Sequence, residues 1–237
     1  DYVVIGEASQ LNIKIGQRGR GEIVLETFGK PCHSANPEKG INAVYKMAKV
    51  IEAIRTLEPT HHPVLGDGIL ELTDIKSAPY PGASVVPEYC RATYDRRLLV
   101  GETKESVLAP IQVLLDKLMA EDPQLKAKVS YAVGNEQCYT GNEITGERFF
   151  PGWLYDEKDA FVQDVKKELE GMGYTPEITQ YNFCTNGSHY AGEAGIKTFG
   201  LGPSKENLAH TVNEYIEIDQ LTKVTDCYYG VMKALLK

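Results

Sequence analysis

The chain reads as an α/β protein whose α/β layer is interrupted by an inserted domain of ferredoxin-like βαββαβ order. Three observations predict this. Strand-like segments recur four times between residues 18 and 137, with two segments of helical apolar spacing between them. Their order, strand–helix–strand–strand–helix–strand, is that of an antiparallel sheet with two helices on one face. Outside that span, strands alternate with helices, the pattern of an α/β layer. The expected division is 1–17 and 138–237 for the α/β unit and 18–137 for the insertion.

Each element has its own warrant. Tyr2-Val3-Val4-Ile5 is a short apolar run entering a loop at Gly6-Glu7. Such a buried strand needs neighbours, so the first part of its domain is expected upstream of Asp1. Ile23, Leu25 and Thr27 alternate with Val24, Glu26 and Phe28, a strand over about 20–29. Val44, Met47, Ala48, Ile51 and Ile54 predict a helix over 42–57, closed by Pro59 and Pro63. A strand over 68–77 follows, and then one after Pro87 with Cys90, Ala92 and Tyr94 on one face. Arg91, Thr93, Asp95 and Arg97 occupy the other face. Thr103 caps a second helix carrying Val107, Ile111, Leu114, Leu115 and Leu118. Val129, Tyr131 and Val133 mark the fourth strand, and 138–153 reads as a loop. Beyond it the sequence predicts a helix over 156–171, strands over 175–181 and 196–201, and a last helix capped by Asp219.

Composition narrows the function. The 237 residues include 25 Lys+Arg against 33 Asp+Glu, a formal charge of −8, with 42% hydrophobic residues. That is an ordinary globular composition. It lacks the basic excess that meets phosphates, so no nucleic-acid partner is expected. No run of 18 apolar residues exists, so no membrane partner is expected either. Five widely spaced cysteines, at 32, 90, 138, 184 and 227, form no C-x-x-C pair. They point to free thiols in a reducing compartment, hence a cytoplasmic protein.

The candidate site residues are few. Glu7 follows the opening strand at the edge where open α/β sheets bind ligands, as a metal ligand, a base or a solvated glutamate. His210 lies in Ala209-His210-Thr211-Val212-Asn213-Glu214, as a zinc ligand with Glu214 as its carboxylate partner, or as a surface histidine. His33 precedes a turn and has the donor needed to steady an oxyanion, or is simply a turn histidine. Arg97 presents a fork suited to a substrate carboxylate, or an ion pair with Asp95. Gly187-Ser188 follow a strand and offer backbone donors. Phosphate-binding glycine loops and a G-x-S-x-G elbow are absent.

The order of short motifs is more specific than any one of them. Ile5-Gly6-Glu7, Gly16-Gln17-Arg18-Gly19-Arg20-Gly21-Glu22, Gly29-Lys30-Pro31-Cys32-His33-Ser34, Pro37-Glu38-Lys39-Gly40-Ile41-Asn42-Ala43, Val85-Val86-Pro87-Glu88, Asp95-Arg96-Arg97, Gly200-Leu201-Gly202-Pro203 and the His210 segment follow one another along the chain. This succession resembles the dinuclear zinc peptidases and amidohydrolases that include acetylornithine deacetylase, succinyl-diaminopimelate desuccinylase, aminoacylase and glutamate carboxypeptidase. It looks most like a subgroup of hydrolases linked to selenium metabolism. The resemblance implies a zinc-peptidase α/β catalytic domain with an inserted lid and dimerisation domain, acting as a homodimer. It implies two zinc ions per complete subunit, with manganese or cobalt as possible replacements, and a small-molecule amide substrate. By the same resemblance Glu7 and His210 are metal ligands, and His33 steadies the oxyanion in the partner subunit's site. Arg97 grips a substrate carboxylate, and Thr185, Asn186, Gly187 and Ser188 line the substrate. The family's His-x-Asp motif, bridging Asp and Glu-Glu pair have no counterpart here. The expectation is therefore an amidohydrolase when complete and an inactive chain alone, or else a non-catalytic dimerisation or ligand-binding fragment. Ser84 and His189 stand where many members carry asparagine and aspartate.

Overall fold

A computed structural model describes residues 1–236. Two sheets, each with its own core, account for most of it. The first holds β1 (Tyr2–Ile5) and β2 (Ile13–Gln17). Sequence reading missed β2, because all five of its residues are buried and a strand covered on both faces shows no alternation. The chain then enters β3 (Gly19–Phe28) of the second sheet. Helix α1 (Ala43–Ile54) follows, begun by the Asn42 side chain accepting from the Val44 and Tyr45 N–H groups. A small hairpin, β4 (His61–His62) with β5 (Gly66–Asp67), leads into β6 (Ile69–Ala78) and β7 (Tyr89–Leu98). Helix α2 (Lys104–Glu121) opens with a reciprocal cap between Thr103 and Ser106, and β8 (Lys126–Tyr131) closes the unit.

The sheet order is β8-β3-β7-β6, antiparallel throughout. Numbered along the chain this is 4-1-3-2, so the βαββαβ expectation holds. Ile23, Leu25, Cys90, Ala92 and Tyr94 face α1 and α2 and form the core with Met47, Val50, Ile111 and Leu115. Arg20, Glu22, Asp95 and Arg97 occupy the helix-free face. The core also holds an ion pair. Arg96 is 6% exposed, and its Nη2 donates to Glu102 Oε1 at 2.5 Å. Burial pulls the Arg96 guanidinium down and Glu102 pulls it back up.

Four local expectations need correction. Residues 138–153 are not a loop: β9 (Val133–Gln137) and β10 (Glu143–Glu147) form a hairpin around a turn at Gly141. After it come β11 (Phe149–Phe150), added to β3, and β12 (Trp153–Leu154), added to β2. Glycines and polar residues disguise these strands, because the hairpin is exposed on both faces. Val133 belongs to this hairpin rather than to the fourth strand, which ends at Tyr131. The helix expected from 156 starts four residues later, as α3 (Ala160–Gly171). Asp219 does not cap the last helix: α4 (Ile218–Leu235) begins after Glu217, and Asp219 sits in its first turn.

The first sheet is completed by β13 (Ile178–Tyr181), parallel to β2, and β14 (Lys197–Gly200), parallel to β1. Its path is β1-β14-β2-β12, with β13 on the other side of β2. Helices α3 and α4 pack together against Ile13, Ile15, Phe199 and Leu201. Among the described residues no helix is long and apolar enough to cross a membrane.

Candidate functional site

Glu7 follows β1 and Gly202 follows β14, so the parallel pair brings both to the same sheet edge. A side chain at Gly202 would lie 2.3 Å from the Glu7 carbonyl oxygen, so only glycine lets these loops touch. The Tyr181 hydroxyl donates to the Glu7 carbonyl at 2.9 Å. Tyr181 is 1% exposed, and burial raises its phenol far above the usual range. The Glu7 side chain is exposed, with no ion pair or hydrogen bond among the described residues.

His210 lies eight residues beyond Gly202 in a segment, 209–219, that is exposed throughout. Its φ is 60°, and so is close to that of Asn213 at 61°. The expected carboxylate partner is present but engages the backbone: the His210 N–H donates to Glu214 Oε2 at 3.0 Å. The imidazole itself has no hydrogen-bond partner among the described residues. The segment is tied to the sheet upstream of His210. Glu206, in the short turn Glu206–Leu208, accepts from Lys14 Nζ at 2.7 Å and from Asn182 Nδ2 at 3.3 Å.

Arg97 and the 185–188 segment meet at the seam between the two sheets. Arg97 Nε forms an ion pair with Asp95 Oδ1 at 2.9 Å, and Asp95 Oδ2 accepts from Arg20 Nε at 2.7 Å. The ion pair with Asp95 is thus present, and it is made through the Nε of Arg97. The Nη atoms of Arg97 have no hydrogen-bond partner among the described residues. The charges of Arg97 and Arg20 both act on the Cys184 thiol, which places this cluster beside the 184–188 segment. Burial outweighs them and pushes the Cys184 thiol up, so it is not an activated nucleophile.

Gln17, fully buried at the end of β2, organises that segment. Its Oε1 accepts from the Thr185 N–H at 3.1 Å and hydroxyl at 2.6 Å. Its Nε2 donates to Ser188 Oγ at 3.0 Å and to the Thr185 carbonyl at 3.2 Å. The backbone donors expected at Gly187 and Ser188 are already spent. The Gly187 N–H donates to Thr185 Oγ1 and the Ser188 N–H to the Thr185 carbonyl. Gly187 and Ser188 are buried, and Asn186 is the exposed member of the four. A six-residue π-helical turn, Ser188–Glu193, begins here. In it His189 pairs with Glu193 Oε2 at 2.9 Å.

His33 lies elsewhere. It is exposed, bridges to Val85, and its Nδ1 accepts from the Ala35 N–H. In the lid register Arg20 is opposite Arg97 and Phe28 is opposite Tyr89. Eight residues of extended strand therefore separate the Arg97 end from the His33 end, about 26 Å. Within one chain the two cannot share a substrate. Sequence reading missed Gln17, Lys14, Arg20 and Glu206. Of these, Gln17 and Arg20 stood in a motif, and Lys14 and Glu206 in none.

Glu7 and His210 suit a metal as donors, being a carboxylate and an imidazole without a side-chain hydrogen-bond partner among the described residues. They are two donors, and among the described residues no group of three or more His, Cys, Asp or Glu side chains could hold an ion.

A βαββαβ unit joined to an α/β layer is the architecture on which the comparisons with known proteins converge. Residues 15–123 match the peptidase dimerisation domain of the M20 family. The uncharacterized protein YgeY of Escherichia coli K12 is 33% identical over 217 residues, 90% of this chain and 52% of that protein. Succinyl-diaminopimelate desuccinylase of Rhodopseudomonas palustris CGA009 is 25% identical over 244 residues, 100% of this chain and 58% of that enzyme. The chain thus spans little more than half the length of these relatives. Two solved structures share the fold. Aminopeptidase PepT of Bacillus cereus matches with a TM-score of 0.72 at 20% identity, covering 100% of this chain and 57% of that one. The YXEP protein of Bacillus subtilis, a dinuclear metal binding peptidase, matches with a TM-score of 0.64 at 12% identity, covering 99% and 56%.

Proposed function

We propose that this chain is the lid and C-terminal catalytic part of a metal-dependent hydrolase that cleaves an amide bond in an N-acyl amino acid or short peptide. The observation that carries this reading is the Arg97 fork. Asp95 holds it by Nε beside the 184–188 segment and leaves its Nη atoms free for a substrate carboxylate. In this reading 1–17 and 138–237 belong to the catalytic domain and 18–137 to the lid. Glu7 and His210 would hold part of a zinc pair, with manganese or cobalt as alternatives. Bound there, the metal would supply Lewis-acid polarisation of the scissile carbonyl and acidify a water.

The chain's own residues then have separate tasks. Arg97 binds the substrate carboxylate and fixes the register of the amide. Thr185 and Asn186 line that pocket, with Gly187 and Ser188 holding the turn behind them. His33, beyond the Tyr89 end of a strand that runs about 26 Å from Arg97, would act on the site of a second copy, donating to the oxyanion. A homodimer through the lid follows. The edge strand β6 supports it, being unpaired on its outer side and exposing Ile69 and Ile75. Five free thiols fit a reducing, cytoplasmic setting.

A second reading, a dimerisation or ligand-binding part without catalysis, is favoured by the two-donor limit among the described residues. One experiment separates them. Zinc uptake and hydrolysis of N-acetyl amino acids are measured on the full-length protein, its His210→Ala variant and its Arg97→Met variant. The hydrolase reading expects zinc loss in the first variant and a KM raised about tenfold or more in the second, since a charged hydrogen bond is worth about 1.5–3 kcal/mol. Zinc uptake indifferent to His210→Ala, or no hydrolysis by the zinc-loaded protein, overturns it.

A further inference from the structure

Lys14 has no part in the reading above, yet its position is unusual. It lies on β2, on the side away from Ile13 and Ile15, and is only 8% exposed. Its Nζ donates to Glu206 Oε1 at 2.7 Å and to the Gln180 carbonyl at 3.2 Å, and lies 5.4 Å over the Tyr181 ring. Two of these partners, Glu206 and Tyr181, each lead to one candidate ligand. Glu206 stands four residues before His210, in the last turn before the chain becomes wholly exposed. Tyr181 holds the Glu7 carbonyl through its hydroxyl. One ammonium in the middle of the sheet therefore touches the supports of both loops.

A buried cation is costly unless paired and hydrogen-bonded, and an apolar replacement of a buried pair is often as stable. Stability alone therefore gives little reason for a lysine here. We propose that Lys14 is a positioning residue. Its ion pair with Glu206 and its cation–π contact with Tyr181 set the His210 segment and the Glu7 loop in fixed relation to the sheet and to each other. The inference rests on reading Glu7 and His210 as metal ligands and adds what holds them in place. The exposed segment 209–219 has no buried side chain of its own to do this.

The test measures zinc affinity, by competition with a chromophoric chelator, on the full-length protein and its Lys14→Met, Lys14→Arg, Glu206→Gln and His210→Ala variants. Thermal midpoints and amide exchange across 205–216 are recorded in parallel. Lys14→Met and Glu206→Gln are expected to weaken zinc binding about 10–100-fold, as loss of a ligand's outer support does. They should also speed exchange across 205–216, and Lys14→Arg should restore both. A lowered thermal midpoint with wild-type zinc affinity would show a purely structural lysine and overturn the proposal. If Lys14→Met does not fold, Glu206→Gln decides alone, since it keeps the shape and a hydrogen bond to Lys14. Zinc affinity unchanged by His210→Ala instead sinks the ligand reading. The tether then stands or falls on exchange, and unchanged exchange in Glu206→Gln overturns it.

Discussion

Replacing Glu102 with alanine removes the carboxylate paired with the buried Arg96, the only one among the described residues. Glu102 accepts from Arg96 Nη2 at 2.5 Å, from Thr60 Oγ1 at 2.9 Å and from the Leu99 N–H at 2.8 Å. The variant leaves Arg96 only the carbonyls of Ile69 and Arg97. Breaking a buried pair from one side costs about 3–5 kcal/mol, because the remaining charge is uncompensated. A cavity of about 100 Å³, lined in part by Ile23, Leu57, Arg96 and Glu102, adjoins the pair. Water entering there softens the penalty, so the lower end applies, about 3 kcal/mol. For a chain of this size that is a fall of about 6–12 °C in thermal midpoint. Urea unfolding followed by circular dichroism at pH 7 measures it directly. The companion Arg96→Met/Glu102→Leu removes both charges and should lie within about 1 kcal/mol of the wild type. A loss under about 1 kcal/mol for the single variant, or an equal loss in both, would refute the reasoning: the charge would then not be the source of the cost.

Two further expectations follow from packing and proton binding. Gly187→Ala would place a methyl 2.6 Å from Trp153 Nε1 and 2.9 Å from Cε2 and Cζ2. Overpacking there should cost about 1–3 kcal/mol. It should also shift the emission of the protein's single tryptophan, and unchanged stability with unchanged emission would contradict the packing. Tyr89 and Tyr94 are held from the ordinary 10.0 up to about 12, both chiefly by burial, with Glu26 adding to Tyr89. Between those values the unfolded chain loses protons that the folded one keeps. Their contribution to stability is therefore complete below pH 10 and falls as pH rises toward 12. A titration at 295 nm should leave these two phenols un-ionised near pH 11 in the folded protein. All 14 tyrosines ionising together near 10.0 would be the contrary result.

The parts of the molecule legible in the sequence are those governed by local periodicity. The spacing of Val107, Ile111, Leu115 and Leu118 and the Thr103 cap predict α2, and the alternation at Cys90, Ala92 and Tyr94 predicts the inner face of β7. A βαββαβ order with short connections leaves few topologies, so the lid follows from its elements. Where burial is uniform the signal vanishes. Strand β2 is buried on both faces and the β9–β10 hairpin on neither, and both escaped sequence reading.

The candidate site divides in the same way. Glu7, His33, Arg97 and His210 stand in recognisable motifs, so their residue types were visible in advance. Asp95 beside Arg97 and Glu214 beside His210 were also visible, but the long-range pairs around them were not. Lys14 meets Glu206 across 192 positions, Gln17 meets Thr185 across 168, and Arg20 meets Asp95 across 75. Such pairs carry no periodic signature. They exist because strand register and the packing of two sheets bring them together, and a one-residue slip would send each side chain to the opposite face. Local chemistry was therefore written in the order of residues, while the separation of His33 from Arg97 and the hub at Lys14 arose only when the strands paired.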